Sequence, residues 1–256
     1  MLELNPLEHV VAVEIFKIGP ISVSNHAIMV TVSALVLLIT LSFVLRSPKL
    51  VPTRLQSLFE SICIFVREDM VRPVLHEYTD RYIGFLWTIF YFILTMNLLA
   101  MIPTDKIYYL ITHQPNHWGG AATANIWVTG GLALVTFCTT HFVGIREQGL
   151  RHYLVGLAPP APWWLLPLIY PLEIISHLVR PFTLAIRLFA NILAGHMVLA
   201  TVLGLIFIFQ SYLAAVAAVL GSVALSFLEL LVAFIQAYIF TFLSTLYIGG
   251  AVSPEH

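Results

Sequence analysis

The sequence predicts an all-α integral membrane protein with about five transmembrane helices. Of its 256 residues, 59% are hydrophobic and 10% are charged, whereas soluble domains carry about a quarter charged residues. The charges are also unevenly spaced, because no Asp, Glu, Lys or Arg occurs between Arg187 and Glu229. Several uncharged stretches reach roughly 20 residues, the length that spans a hydrocarbon core. Together these observations argue against a soluble globular domain.

Charges and prolines that interrupt the apolar runs define the predicted segments. The first span ends before Arg46 and the third ends before Arg146. In chain order we expect one membrane domain built from an N-terminal outside segment (1–26), a transmembrane helix (27–45), a cytoplasmic amphipathic segment (46–81), two transmembrane helices (82–102 and 125–145), a long bent transmembrane helix (165–209) and a C-terminal transmembrane helix (212–248).

The two C-terminal helices are predicted to form an antiparallel pair joined by a turn around Gln210 and Ser211. The first of them has about 45 residues and would measure roughly 68 Å, about twice the hydrocarbon thickness. Pro181 lies inside it and would bend it, since proline removes a helix hydrogen bond. We therefore expect a bent and tilted helix.

Basic residues predict the orientation of the spans. Segment 46–81 holds six Lys and Arg residues, and the loop after the third span holds Arg146 and Arg151, whereas the loop before that span holds Lys106 alone. The positive-inside rule then places the N-terminus outside and the C-terminus inside. Apolar residues recur at helical spacing within segment 46–81, which favours an amphipathic helix at the membrane interface. An ordinary cytoplasmic connector helix is the alternative.

Polar side chains form two sets on the long helices. One face of the first helix carries a polar stripe made by Glu173, Ser176, Arg180, Arg187 and Asn191. Glu229 and Gln236 share a face of the last helix because they are seven residues apart. In an antiparallel hairpin Arg187 comes level with Gln236, and His196 comes level with Glu229 nearer the outside. Ionisable residues in apolar spans are costly and typically mark an ion or proton path.

Each of these residues also has a structural interpretation. Arg187 could belong to a buried ion pair, Glu229 could pair with another helix, and His196 could be a packing histidine. Asn191 and Gln236 could form interhelical hydrogen bonds, and Glu173 could be solvated near the interface. The remaining histidines are assigned to loops, interfaces or packing, among them His113, His117, His141, His152 and His177.

Residues 180–195, RPFTLAIRLFANILAG, resemble the signature of subunit a of the F-type ATP synthase. Three shorter stretches support the resemblance, namely 96–103 (MNLLAMIP), 123–125 (TAN) and 236–240 (QAYIF). The resemblance covers roughly Arg46 to the C-terminus. Two positions depart from the family pattern, because Trp127 replaces a small polar residue and Ala190 replaces a glycine.

The resemblance implies a stator subunit beside a c-ring of small hairpin subunits, each with one carboxyl group at mid-membrane, and peripheral-stalk b subunits as further partners. Protons, or Na⁺ in some members, would enter by an outer aqueous half-channel, ride the ring through lipid and leave by an inner half-channel. Arg187 would lie between the half-channels, where its permanently charged guanidinium blocks a direct leak. His196 and Glu229 would serve the outer half-channel, with Asn191 and Gln236 close to the arginine. Glu173 and Ser176 would lie at the inner exit.

No nucleotide-binding motif occurs in the sequence, so the chain itself is not expected to hydrolyse ATP. The resemblance implies a non-catalytic subunit that needs no cofactor, metal or nucleic acid and resides in an energy-coupling membrane, the inner membrane of a bacterium. Two other classes stay open. A membrane enzyme or haem protein could use His141, His177 and His196, and a self-contained secondary transporter would work without a ring.

Overall fold

Long α-helices dominate the computed structural model, which describes residues 14–18, 21–46, 53–102, 120–156 and 164–252. Within these ranges, five helices are long and apolar enough to cross a membrane. The prediction of an all-α membrane protein with about five spans is thereby confirmed.

A short β-hairpin, which was not predicted from the sequence, precedes the first helix. Strand β1 (Glu14–Ile18) pairs antiparallel with β2 (Ile21–Ser24), so that Lys17 lies opposite Ser22. The alternation of apolar and polar residues in β2 was the available sequence signal. Helix α1 (Asn25–Leu45) follows directly.

The predicted amphipathic segment is helical but irregular. It consists of α2 (Arg54–Ile64), a π-helical stretch (Phe65–Val71), α3 (Arg72–Leu75) and a 3₁₀ turn (His76–Tyr78), and it leads into α4 (Thr79–Ala100). The Thr53 hydroxyl caps α2 by accepting a hydrogen bond from the backbone N–H of Gln56 at 3.4 Å.

The C-terminal half contains the two longest helices. After α5 (Ile126–Gln148) and α6 (Leu150–Gly156), the chain forms α7 (Leu166–Phe209) and α8 (Tyr212–Val252). Pro171 and Pro181 lie inside α7. Gln210 ends this helix with a φ of 44°, so a tight turn reverses the chain at the predicted place.

The chain divides into two compact units. Unit 1 consists of the described residues within Met1–Thr40, Tyr91–Thr129 and Arg187–Ala237. Unit 2 consists of the described residues within Leu41–Phe90, Gly130–Ile186 and Tyr238–His256. Both long helices therefore contribute residues to each unit.

Buried polar side chains and small residues connect the elements of unit 1. His26 Nδ1 lies 3.1 Å from the carbonyl oxygen of Ala121, which can only accept a hydrogen bond, so Nδ1 is the donor. Asn97 Nδ2 donates to the carbonyl of Ala233 at 3.4 Å. A cluster of small side chains contacts Ile192 and is formed by Ala100, Ala121 and Ala124. Small residues let membrane helices approach closely.

One carboxylate joins two helices of unit 2. Glu147 near the end of α5 accepts hydrogen bonds from the Tyr82 hydroxyl at 2.7 Å and from Arg81 Nη1 at 2.8 Å. Beside it, Gln148 Nε2 donates to the carbonyl of Ala251 at 2.7 Å. The side chain of Glu147 is 14% exposed, and its two partners replace hydrogen bonds that the carboxylate would otherwise make to water.

Replacing Glu147 with alanine should lower the stability of the chain by about 1 kcal/mol, the typical net value of one intramolecular hydrogen bond and less than the usual value for a charged group. The effect is modest because Arg81 is 47% exposed and keeps access to water. The thermal unfolding midpoint of the purified chain in detergent measures it.

Glu68→Ala is the matched control, since Glu68 pairs with the exposed Arg72 on the surface of the amphipathic segment. We expect a shift close to zero for this variant. Equal shifts for the two variants would contradict a special role of Glu147.

Candidate functional site

A cavity of about 190 Å³ lies in unit 1, lined by residues from the end of α4 and from α7 and α8. Its walls are mainly apolar, but Asn191, His196 and Glu229 also line it. The volume accommodates several water molecules. The structure thus brings together, in one cavity, three of the residues that the sequence analysis singled out.

The helices that form this cavity run antiparallel, in the register that the sequence analysis expected. A Cβ atom added to Gly195 of α7 would meet the side chain of Glu229 of α8, and one added to Gly221 would lie 3.7 Å from Val202. Between these two contacts α7 advances seven residues while α8 returns eight. The two helices therefore keep nearly the same register between these two contacts.

Gly195 makes room for the Glu229 carboxyl group. A Cβ at this position would overlap one carboxylate oxygen and lie 3.2 Å from the carboxyl carbon. Any larger residue would force the Glu229 side chain to move. The carboxyl group thus sits against the surface of α7 beside His196, half-buried and at the edge of a space for water.

The same register determines the positions of Arg187 and Gln236 along the two helices. Arg187 is eight residues before Gly195, and Gln236 is seven residues after Glu229. Both residues therefore lie about 11 Å farther from the turn than the contact between Gly195 and Glu229 does. Gln236 is 5% exposed, and Arg187 is partly buried. Within the described ranges, no carboxylate forms an ion pair with Arg187.

Glu173 forms the centre of a second polar cluster, in unit 2. Its Oε1 lies 3.5 Å from Nη2 of Arg180 and 3.6 Å from Nε2 of His177. Arg180 also lies over the ring of Tyr247, 5.4 Å from its centroid. Ser176, which was expected beside Glu173 at the inner exit, is exposed. The partners of Glu173 in the structure are Arg180 and His177 instead.

Two histidines in unit 2 were assigned to loops, interfaces or packing from the sequence, and the structure places them beside this cluster. The rings of His141 and His177 are 5.8 Å apart between centroids. His177 is four residues after Glu173 on α7, a spacing that could have revealed it. His141 lies on α5, and nothing in its local sequence indicates the contact.

The described residues hold no group of three or more His, Cys, Asp and Glu side chains that could bind a metal ion. His141 and His177 belong to unit 2, whereas His196 belongs to unit 1. The polar groups singled out in the two units are carboxyl, imidazole, guanidinium and amide groups, all of which form hydrogen bonds.

Comparisons with known proteins identify the family. A family model described as the ATP synthase A chain matches residues 27–249. Relatives include ATP synthase subunit a of Myxococcus xanthus, 39% identical over 92% of this chain and 75% of the relative. ATP synthase subunit a 2 of Chlorobaculum tepidum is 36% identical over 91% and 64%, and ATP synthase subunit a of Chloroherpeton thalassium is 37% identical over 92% and 68%. The chain thus spans about two thirds to three quarters of these relatives. It belongs to the ATP synthase A chain family.

Proposed function

We propose that this chain is the proton-channel stator subunit of the membrane sector of an F-type ATP synthase in a bacterial inner membrane. It supplies an outer and an inner aqueous half-channel, and Arg187 separates them. Its partners are a c-ring of small hairpin subunits and the peripheral-stalk b subunits. Proton flow through the half-channels turns the ring, and the chain itself carries out no catalysis.

The unit 1 cavity carries this proposal. A carboxyl group, an imidazole and an amide, from Glu229, His196 and Asn191, line one mainly apolar cavity with room for several water molecules. Groups of this kind exchange protons with water and with one another. Their desolvation in a membrane is costly, which favours a function in ion transfer over a packing role.

Arg187 suits the place between two half-channels for a physical reason. Its guanidinium stays charged at every working pH, so it attracts an arriving ring carboxylate without taking its proton. A carboxylate held in this way is ionised and ready to be protonated from the other side. The absence of an internal ion pair among the described residues supports an external carboxylate as its partner.

Glu173 supports the inner half-channel in the same proposal. It lies in unit 2 with Arg180 and His177, and its side chain is partly exposed. A proton released by the ring would pass to water through such a carboxylate. The transmembrane field supplies about 2.3 kcal/mol per charge per 100 mV for the whole transfer.

Arg187→Lys and Arg187→Ala should leave the chain inserted and assembled but abolish proton-driven ATP synthesis. Lysine keeps the charge but replaces the wide planar fork with a compact ammonium group that loses its proton more readily. Synthesis is measured in vesicles energised by respiration. Arg151→Lys, an exposed position in α6, is the control and should synthesise normally. Near-normal synthesis with Arg187→Lys would overturn the proposal.

Gln236→Leu should slow ATP synthesis more than it reduces assembly. The amide is buried and lies level with Arg187 by helix register, so it is placed to position the guanidinium, whereas leucine fills a similar volume without hydrogen bonds. The synthesis rate is therefore divided by the amount of chain that co-purifies with the ring. An unchanged rate per complex, or an experimental structure with the two side chains more than about 10 Å apart, would refute this role.

His196 and Glu229 should behave as a coupled pair. His196→Glu alone leaves two carboxyl groups at the cavity, and Glu229→His alone leaves two imidazoles. Each single change should reduce proton flux. The double exchange restores one carboxyl and one imidazole, and should recover much of the flux, because a relay through shared water does not depend on which helix carries which group. Such non-additivity is expected of interacting neighbours. Flux in the double variant no better than in the worse single variant would show that the residues act separately.

A further inference from the structure

Two imidazoles lie next to each other in unit 2, on different helices. The ring of His141 on α5 meets the ring of His177 on α7 edge to face, with 5.8 Å between centroids and an angle of 85° between planes. His177 Nε2 in turn lies 3.6 Å from Glu173 Oε1. Three proton-exchanging groups therefore follow one another in a row, and of these three only the glutamate was expected from the sequence to take part in transport.

The hydrogen bond of His141 fixes which nitrogen can take up a proton. Nδ1 of His141 lies 3.0 Å from the carbonyl oxygen of Phe137. A carbonyl oxygen only accepts hydrogen bonds, so Nδ1 carries the hydrogen and the lone pair of neutral His141 is on Nε2. Nε2 is therefore the nitrogen that accepts and returns a proton.

A small cavity connects the two rings. Its volume is about 10 Å³, the space of a single water molecule, and His141, His177 and Arg180 line it together with Thr140. The Thr140 hydroxyl donates to the carbonyl of Thr136 at 2.9 Å, which leaves its oxygen able to accept. A water molecule here would have the two to four polar partners that a buried water needs.

Two opposite charges lie beside the rings. The guanidinium of Arg180 would repel a proton on either imidazole, and the Glu173 carboxylate, 3.5 Å from that guanidinium and 3.6 Å from His177 Nε2, offsets part of this repulsion at His177. The phenol of Tyr153 lies against His141, with 5.9 Å between ring centroids. Burial raises the pKa of the Tyr153 phenol above its usual value, so this neighbour stays uncharged near neutral pH.

We propose that His141 and His177 carry protons in series with Glu173, as a two-imidazole segment of the inner half-channel. This inference rests on the proposed function, because it adds two residues to the proton path of the same subunit. It gives both histidines a transport role in place of packing.

The proton passes through three groups in four transfers. It binds Nε2 of neutral His141, and the resulting imidazolium gives it through the water molecule to a ring nitrogen of His177. His177 then releases a proton from Nε2 to the Glu173 carboxylate, and the protonated carboxyl group loses it to the water at the inner exit. Each group returns to its starting charge, and His177 returns to its starting tautomer when its remaining ring hydrogen exchanges through water. No oxidant, reductant or cofactor takes part.

Chemical rescue separates proton transfer from packing. His141→Ala and His177→Ala are each introduced into the complete ATP synthase in liposomes, and ATP synthesis is driven by a K⁺ diffusion potential alone. We expect the rate of ATP synthesis to fall about 10-fold or more in each variant, since a positioned proton carrier contributes about 10²- to 10⁴-fold to the step that it serves. Imidazole added to the medium should restore much of the rate. Pyrazole, a ring of the same shape but much weaker basicity, should not.

His152→Ala is the matched control, because His152 is exposed on α6 and should keep the normal rate with or without imidazole. If either alanine variant fails to assemble, the corresponding glutamine variant is measured, which preserves hydrogen bonding but cannot carry a proton, and it should show the same loss. Normal rates in the His141 and His177 variants, or a loss that imidazole does not relieve, would overturn the inference.

The same vesicles distinguish this inference from the proposed function. Glu229→Gln and Arg187→Ala test the proposed function and involve neither His141 nor His177. If these two variants are inactive while the histidine variants synthesise ATP normally, the proposed function stands and the inference fails. If complexes with the unaltered chain show no proton-driven synthesis, both fail.

Discussion

The contact between the Glu229 carboxyl group and α7 at Gly195 is the interaction on which the arrangement of unit 1 depends. It requires a residue without a side chain on one helix and a long acidic side chain opposite it on the other. A shift of one residue along either helix would replace this contact with a clash or a gap. The register in turn aligns Arg187 with Gln236 and places His196 at the same cavity as Glu229.

Polar groups at this depth need water or partners, since an unpaired polar group in a hydrocarbon core costs several kcal/mol. The two units meet this requirement differently. In unit 1 a cavity of about 190 Å³ gives Glu229 and His196 access to water. In unit 2 the glutamate is paired with Arg180 and His177, and the adjoining cavity has room for about one molecule. In the proposed function, a space with room for several water molecules suits uptake of a proton from bulk solvent, whereas a row of side chains suits its guided release.

The spans and the alignment of the polar residues could be predicted from the sequence, because both depend on residue spacing within a single helix. The length of apolar runs predicts the spans, and the spacing of Arg187, Glu229 and Gln236 predicts how these residues align along the hairpin. The β-hairpin was missed because its strands have four and five residues and their pairing is a local match that membrane-length apolar runs do not reveal. The contact of His141 with His177 depends on the packing of α5 against α7, which periodicity within either helix does not determine.

The charge balance of the two units bears on how the chain would act on a partner. Arg180 and Glu173 neutralise each other within unit 2, so this region presents little net charge to a neighbouring subunit. Arg187 has no such carboxylate among the described residues of the chain. In the proposed function an anionic group of another subunit would pair with this partly buried guanidinium, because a paired charge is far less costly than a lone one in a low-dielectric setting. A ring carboxylate that is ionised beside Arg187, and protonated while it lies in lipid, would provide this pairing each time one arrives.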